Sequence, residues 1–134
     1  MQDYRKLSVW SKSHQLVLLV YEATGNVSDK KFPGLLSQLR RAAASIPANI
    51  AEGCGHLGSR ELARFLGIAV ASSFELAYHL QLAADLGVMT KSDFARLDAR
   101  TEQVKRMLSS LLVRVRQRAS QQESKRPPKP TKSS

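Results

Sequence analysis

Two glutamate–histidine pairs come closest, by residue type and spacing, to a catalytic motif in this chain. Glu52 and His56 lie four positions apart, as do Glu75 and His79, so each pair shares one face of a helix. Carboxylates and imidazoles on facing helices are the ligands of di-iron bundles. A dinuclear metal site is therefore the enzymatic hypothesis to test first.

The spacing argues against such a site. Di-iron bundles use Glu-x-x-His, one residue shorter than these pairs, plus single glutamates from the other two helices, for which Glu22 and Glu102 are the candidates. If the two pairs lie on an antiparallel hairpin that turns near residues 57–58, they are misaligned along its axis by roughly 18 Å. Cys54 is a single cysteine with no evident base. We therefore predict a non-enzymatic protein without catalytic residue, metal or cofactor.

Four segments with helical periodicity account for most of the chain. The predicted helices run from about Ser8 to Thr24, from about Gly34 to Cys54, from just after a Ser59 cap to the Gly87 stop, and from a Thr90 or Ser92 cap to about residue 118. No strand pattern competes, and the connections are short. The pattern predicts one domain over residues 1–118, an all-α, antiparallel up-down-up-down four-helix bundle.

The first of these helices has an aromatic stripe at three- and four-residue spacing. We predict that its buried face consists of Trp10, His14, Val17, Leu18 and Tyr21. On this face, His14 is interpreted as a core or interface histidine rather than a metal ligand.

Positive charge is concentrated at the C-terminal end. From residue 114 onward, seven basic residues oppose one acidic residue, Glu123, for a net +6 of the formal +10. Serine, glutamine, lysine and proline dominate from residue 119, so we predict that residues 119–134 form a disordered basic tail. Such charge attracts nucleic acid, although a tail that only aids solubility is the alternative. The predicted phosphate contacts are Lys105, Arg106, Arg114, Arg116, Arg118, Lys125, Arg126, Lys129 and Lys132.

The second helix contains a proline among its smallest and most polar residues, in the stretch QLRRAAASIPANIAEG. Pro47 lacks the N–H that would bond to the Ala43 carbonyl, while Ser45 and Asn49 can supply side-chain hydrogen bonds nearby. The alanines leave room for another backbone to approach. This combination predicts a tightly packed seam, either inside the bundle or between subunits.

Two motifs on the second and third helices carry a family resemblance. Ser-Ile-Pro-x-Asn-Ile-Ala-Glu-Gly is matched by Ser45–Gly53, and Ser-x-x-Glu is matched by Ser72–Glu75. Over about residues 5–115, the sequence resembles the four-helix-bundle family named for the 23S ribosomal RNA intervening-sequence protein. It is also similar to the accessory variability protein of diversity-generating retroelements, a homopentameric barrel that binds nucleic acid and a reverse transcriptase.

The resemblance and the charge together suggest a function. They imply a non-enzymatic RNA- or DNA-binding accessory protein with weak sequence preference, assembled as a ring-like homo-oligomer, most simply a pentamer. A reverse transcriptase is a candidate partner. The alternative is an oligomeric scaffold that docks a protein without touching nucleic acid. Because the chain has no long apolar run and no signal-peptide pattern, we expect a cytoplasmic location and no membrane contact.

The arginines and glutamates of the signature suggest a structural clamp. In the predicted hairpin, Glu75 lies level with Arg40 and Arg41, and Glu52 lies close to Arg64. We predict that these five residues form ion pairs that fix the register of the hairpin. Breaking a buried pair of this kind costs about 3 kcal/mol or more.

Overall fold

Four helices make up nearly all of the structure. The computed structural model describes residues 2–125 and 127 and begins with a 3-10 turn at Tyr4–Lys6. It continues with α1 (Ser8–Thr24), α2 (Leu35–Cys54), α3 (Ser59–Asp85) and α4 (Lys91–Ser124). Each helix packs on the one before it and α4 also packs on α1, whereas the backbones of α1 and α3 do not come close to each other. The predicted up-down-up-down bundle is confirmed, with α1 and α3 on one diagonal.

The core is apolar, and several of its hydroxyl groups bond within their own helices. The Ser13 hydroxyl donates to the Trp10 carbonyl at 2.8 Å, and the Thr101 hydroxyl donates to the Leu97 carbonyl at 2.7 Å. Among the described helices, none has the length and hydropathy of a membrane span. The largest fully buried side chains are Leu16, Leu39, Ile46, Ile50, Leu66, Leu76, Leu80, Leu97 and Leu108.

The buried face of α1 differs from the predicted one. The core-facing residues are Val9, Ser13, Leu16, Val20 and Thr24. The predicted aromatic stripe lies about 100° around the helix, so Leu18, Tyr21 and His14 are exposed. The prediction of this face was wrong because small hydroxyl residues take inward positions, where they bond to their own backbone.

The fourth helix extends beyond the predicted boundary at Arg118. Its start is as predicted, since the Thr90 hydroxyl accepts a hydrogen bond from the Asp93 N–H at 3.1 Å. It continues to Ser124, one to two turns further than expected. Ala119 is partly buried there, and Glu123 forms an ion pair with Arg60 at 3.7 Å. Contact with the start of α3 thus stabilises the last turns of α4, for which the amino-acid composition alone predicted disorder.

The α2–α3 seam, defined by Ser45, Asn49 and Gly53 of α2 and the residues of α3 that they face, is tightly packed. A Cβ atom on Gly53 would lie only 2.9 Å from the Cβ of Phe65. The Ser45 and Ser72 hydroxyls lie 2.8 Å apart across the seam, and Asn49 Nδ2 donates to the Ser45 carbonyl and hydroxyl. The close seam predicted from the proline-containing stretch therefore lies inside the bundle.

Candidate nucleic-acid interface

The end of the bundle where α3 begins and α4 finishes carries four exposed arginines. Arg60 and Arg64 lie one turn apart at the start of α3, and Arg116 and Arg118 lie on the last turns of α4. Because α3 and α4 pack as antiparallel neighbours, these segments are brought side by side. We call Arg60, Arg64, Arg116 and Arg118 the basic end.

Three adjoining hollows connect these arginines. The first, of about 530 Å³, is lined by Arg60, Arg64 and Arg116. A second, of about 350 Å³, shares Arg60 with the first and Ser59 with the third. The third, of about 190 Å³, lies between Arg118 and the α2–α3 connection. The shared lining residues make the basic end one continuous surface.

Nearby carboxylates neutralise this surface only in part. Arg64 Nε lies 3.3 Å from Glu61 Oε2, and Arg60 Nη1 lies 3.7 Å from Glu123 Oε1. Both pairs are open to solvent, and the Arg60 side chain is 84% exposed. Exposed pairs contribute about 0–1 kcal/mol, so they can exchange for a stronger anion. A guanidinium group binds phosphate through paired N–H donors, which makes phosphate such an anion.

Lys105 lies away from the basic end. Its Nζ lies 2.6 Å from Glu102 Oε1 and 4.4 Å from the centroid of the Phe74 ring, and its side chain is 19% exposed. To contact a phosphate, it would have to leave a short ion pair. This geometry argues against the role predicted for Lys105 as a phosphate contact.

Arg106 and Arg114 are also separated from the basic end. They line a groove of about 400 Å³ between α4 and the start of α1, whose lining includes Leu7 and Leu111. Arg114 lines this groove, whereas Arg116 lines the hollow that contains Arg60 and Arg64. The arginines predicted as one set therefore belong to two surfaces.

The predicted tail contacts divide at the end of α4. Lys125 directly follows the last helical residue and is exposed. It adds one more positive charge after the last turn of α4. Arg126, Lys129 and Lys132 lie outside the described residues.

Arg40, predicted to pair with Glu75, instead caps α1. Its Nε donates to Thr24 Oγ1 at 3.0 Å, and its Nη2 donates to the Thr24 carbonyl at 3.1 Å. The guanidinium also lies 5.1 Å from the centroid of the Tyr21 ring. Because Thr24 is the last residue of α1, Arg40 adds a second donor to a helix-end carbonyl that also accepts the Val27 N–H at 3.3 Å.

The predicted glutamate–arginine clamp is wrong. Glu75 is 60% exposed, and its carboxylate lies 3.3 Å from His79 Nε2 of the same helix. Arg41 and Glu52 are exposed, and Arg64 pairs within α3. Residues at the same height on two neighbouring helices meet only when both side chains lie on the facing sides. These charged side chains do not lie on the facing sides. Small and hydroxyl residues fix the register instead.

Arg60, Arg64 and His56 lie at this surface but were not predicted as binding residues. One signal for this surface was available in the sequence. If α3 and α4 form an antiparallel hairpin, Arg116 lies at about the same height along its axis as Arg60 and Arg64. His56 stands out in the sequence only as the partner of Glu52. Its position beside the basic end depends on the path of the α2–α3 connection.

The groups considered for metal or thiol chemistry are the two glutamate–histidine pairs and Cys54. No cluster of three or more histidine, cysteine, aspartate or glutamate side chains suited to a metal ion occurs in residues 2–125 and 127. Cys54 is buried, and this burial raises the pKa of its thiol. The chemistry that the basic end itself offers is charge and hydrogen bonding from guanidinium groups.

The helices that carry the hairpin signature match a family model. The model described as 23S rRNA-intervening sequence protein matches residues 5–110. The chain belongs to this family. The resemblance predicted from Ser45–Gly53 and Ser72–Glu75 is thereby confirmed. The 23S rRNA-intervening sequence match ends before Arg114, so the α4 part of the basic end lies beyond it.

A solved structure shows the same bundle. A protein with unknown function from the S23 ribosomal protein family of Bacteroides thetaiotaomicron VPI-5482 superposes with a TM-score of 0.70 and 22% identity. The alignment covers 78% of this chain and 97% of that chain. No curated protein matches the sequence. Membership in the 23S rRNA-intervening sequence family therefore establishes the bundle, and the function has to be argued from the surface itself.

Proposed function

We propose that this protein is a non-enzymatic, cytoplasmic accessory protein that binds RNA or DNA through its basic end. One observation carries the proposal. Arg60, Arg64 and Arg116 line one hollow where α3 and α4 meet, and Arg118 lines another hollow of the basic end. Contacts of this kind hold phosphates and position the ligand without reading base sequence. The formal charge of +10 supports rapid, salt-sensitive association with a polyanion.

The salt dependence of RNA binding tests this proposal. Fluorescence anisotropy with a labelled structured RNA is measured over a series of salt concentrations. The variant Arg60→Ala/Arg64→Ala/Arg116→Ala should flatten the slope of log affinity against log salt by roughly 2–3 units. A matched control removes three exposed arginines outside the basic end, Arg41, Arg96 and Arg100.

Each outcome of this comparison is informative. A flatter slope in the basic-end variant and a small change in the control supports the proposal. Equal losses in both would mean that net charge alone attracts RNA. An unchanged slope in the basic-end variant, with its melting temperature intact, would exclude this surface as the phosphate site.

We further propose that the protein works as a ring-like homo-oligomer, with five subunits as the simplest number from the resemblance. Two exposed apolar sets support this assembly. Leu18 and Tyr21 lie on α1, and Phe74 and Tyr78 lie on α3. Because these helices are diagonal, the sets lie on opposite sides of the bundle. Unlike patches on opposite sides give head-to-tail contacts, which form a ring when the rotation between successive subunits closes.

Light scattering tests the assembly. We expect a mass several times the 14.8 kDa of one chain at micromolar concentration. Leu18→Glu and Tyr78→Glu should each lower that mass by placing a charge in the contact. A monomeric wild-type protein would contradict the proposal.

The alternative, a scaffold that docks a protein such as a reverse transcriptase, is favoured by a different observation. The α1–α4 groove combines an apolar lining with Arg106 and Arg114. Apolar contacts framed by cations suit a protein segment better than a bare phosphate backbone. If RNA binding fails and Met107→Asp abolishes partner capture, this alternative replaces the first proposal.

A further inference from the structure

His56 holds its imidazole ring against the core beside the basic end. The ring stacks on Phe65, with centroids 5.1 Å apart and planes inclined by 17°. Phe65 is buried, and the Arg64 guanidinium lies 4.4 Å from the centroid of the same ring. His56 itself is exposed. His56 is thus an exposed residue whose ring orientation is fixed by its packing on Phe65.

The surroundings of His56 continue the basic end. His56, Leu57 and Arg118 line the hollow of about 190 Å³ at the α2–α3 connection. This hollow shares Ser59 with the hollow beside Arg60. Leu57 is 87% exposed, which leaves an apolar side chain next to the ring. A flat ring, an apolar neighbour and guanidinium groups therefore lie within one small area.

We propose that His56 is a stacking platform for an unpaired base, so that the ligand of the basic end is single-stranded or looped nucleic acid. The inference rests on the proposed function and specifies its ligand class. In a duplex, the bases stack on each other and offer no free face, whereas unpaired bases stack on aromatic side chains and arginine planes. Arg60, Arg64 and Arg118 would hold the phosphates that flank the stacked base.

Other exposed rings fit this role less well. Phe74 lies ten residues beyond Arg64 on α3, about 15 Å along the helix, and Lys105 already covers its ring. Tyr78 lies one turn further from the basic end. His14 stacks on Trp10, with ring centroids 5.0 Å apart, but it does not line the three hollows of the basic end.

Binding of matched single-stranded and duplex probes tests the platform. One probe is a labelled oligoadenylate of about twelve nucleotides, a length within the usual site size of single-strand-binding proteins. The other probe is the same strand annealed to oligouridylate. For the full-length protein, His56→Ala should weaken single-strand binding by at least about fivefold and change duplex binding by less than about twofold. His14→Ala is the matched control, an exposed, stacked histidine, and should change neither.

His56→Phe separates stacking from the other roles of a histidine. It keeps a flat ring but lacks both ring nitrogens, so single-strand affinity should equal or exceed that of the wild type. Equal losses on both probes in His56→Ala, or a loss in His56→Phe as large as in His56→Ala, would overturn the platform. If the arginine variant loses salt-sensitive binding while His56→Ala loses nothing, the proposed function stands and this inference fails. If the wild type binds neither probe, both fail.

Discussion

The α2–α3 seam and the basic end share α3, yet they use it in opposite ways. At the seam, Gly53 lets Phe65 approach to a distance that leaves no space for a Cβ atom. At the basic end, the next turns of the bundle leave hollows of about 190–530 Å³ bordered by charge. One region is packed too closely for an added methyl group, and the other is open to a ligand.

This contrast assigns the family signature to structure rather than to chemistry. Ser45, Asn49 and Gly53 belong to the signature, and all three serve helix packing. Arg116 and Arg118, by contrast, lie beyond the residues matched by the family model. The match therefore identifies the fold, while the α4 part of the basic end lies outside the matched residues.

Gly53→Ala should produce the largest loss of stability. Its Cβ would lie 2.9 Å from Phe65 Cβ and 3.1 Å from Leu62 Cδ1, so α2 and α3 would have to separate. We expect a cost of about 1–3 kcal/mol and a melting temperature lower by roughly 5–10 °C at fixed protein concentration. Gly67→Ala is the control, since nothing lies within 4 Å of its Cβ position. An equal effect of both substitutions would show that the seam is not tight.

Removal of the hydroxyl contact across the seam should have a smaller effect. In Ser72→Ala, the Ser45 hydroxyl still accepts a hydrogen bond from Asn49 Nδ2 at 3.0 Å, so it keeps one partner. We expect a loss of about 1 kcal/mol. A double-mutant cycle with Ser45→Ala, followed by thermal melting, measures the coupling between the two hydroxyls. Strictly additive effects would mean that the hydroxyl pair contributes nothing specific.

Glu75→Ala separates the predicted clamp from the observed geometry. A buried clamp would cost about 3 kcal/mol or more when broken. The structure shows Glu75 60% exposed and in contact with His79 of its own helix, so we expect a loss below about 0.5 kcal/mol. Chemical denaturation of this variant beside Glu61→Ala, another exposed intrahelical pair, provides the comparison. A large loss for Glu75→Ala alone would restore the clamp.

Truncation after Lys125 should have the smallest effect on stability and a measurable effect on binding. It keeps all of α4 and removes Arg126, Lys129 and Lys132. The melting temperature should be unchanged, while the salt slope of RNA binding should fall by roughly 2–3 units. A full-length variant with these three residues changed to glutamine is the control for chain length. An unchanged slope in both would confine binding to the basic end.

The sequence predicted the helices well because their signals are local. Periodicity and glycine stops place the bounds of α1 to α3 within one or two residues, and the Thr90 cap places the start of α4. The face of α1 was predicted wrongly, because Trp10 and Tyr21 are more apolar than the Ser13 and Thr24 that are buried instead. Hydroxyl groups that bond to their own backbone are compatible with a core, and apolar character alone does not reveal this.

By itself, the sequence determined the family, the number of helices, the presence of a close seam at the proline-containing stretch and the excess of positive charge. All of these follow from residue type and short-range spacing. The tertiary structure decided which charges meet. It separated Arg114 from Arg116, moved Arg40 to the end of α1, and brought Arg60 and His56 to one surface with the end of α4. The reason is geometric, because a helix turns 100° per residue and neighbours in sequence face different partners, which only the packing of the bundle specifies.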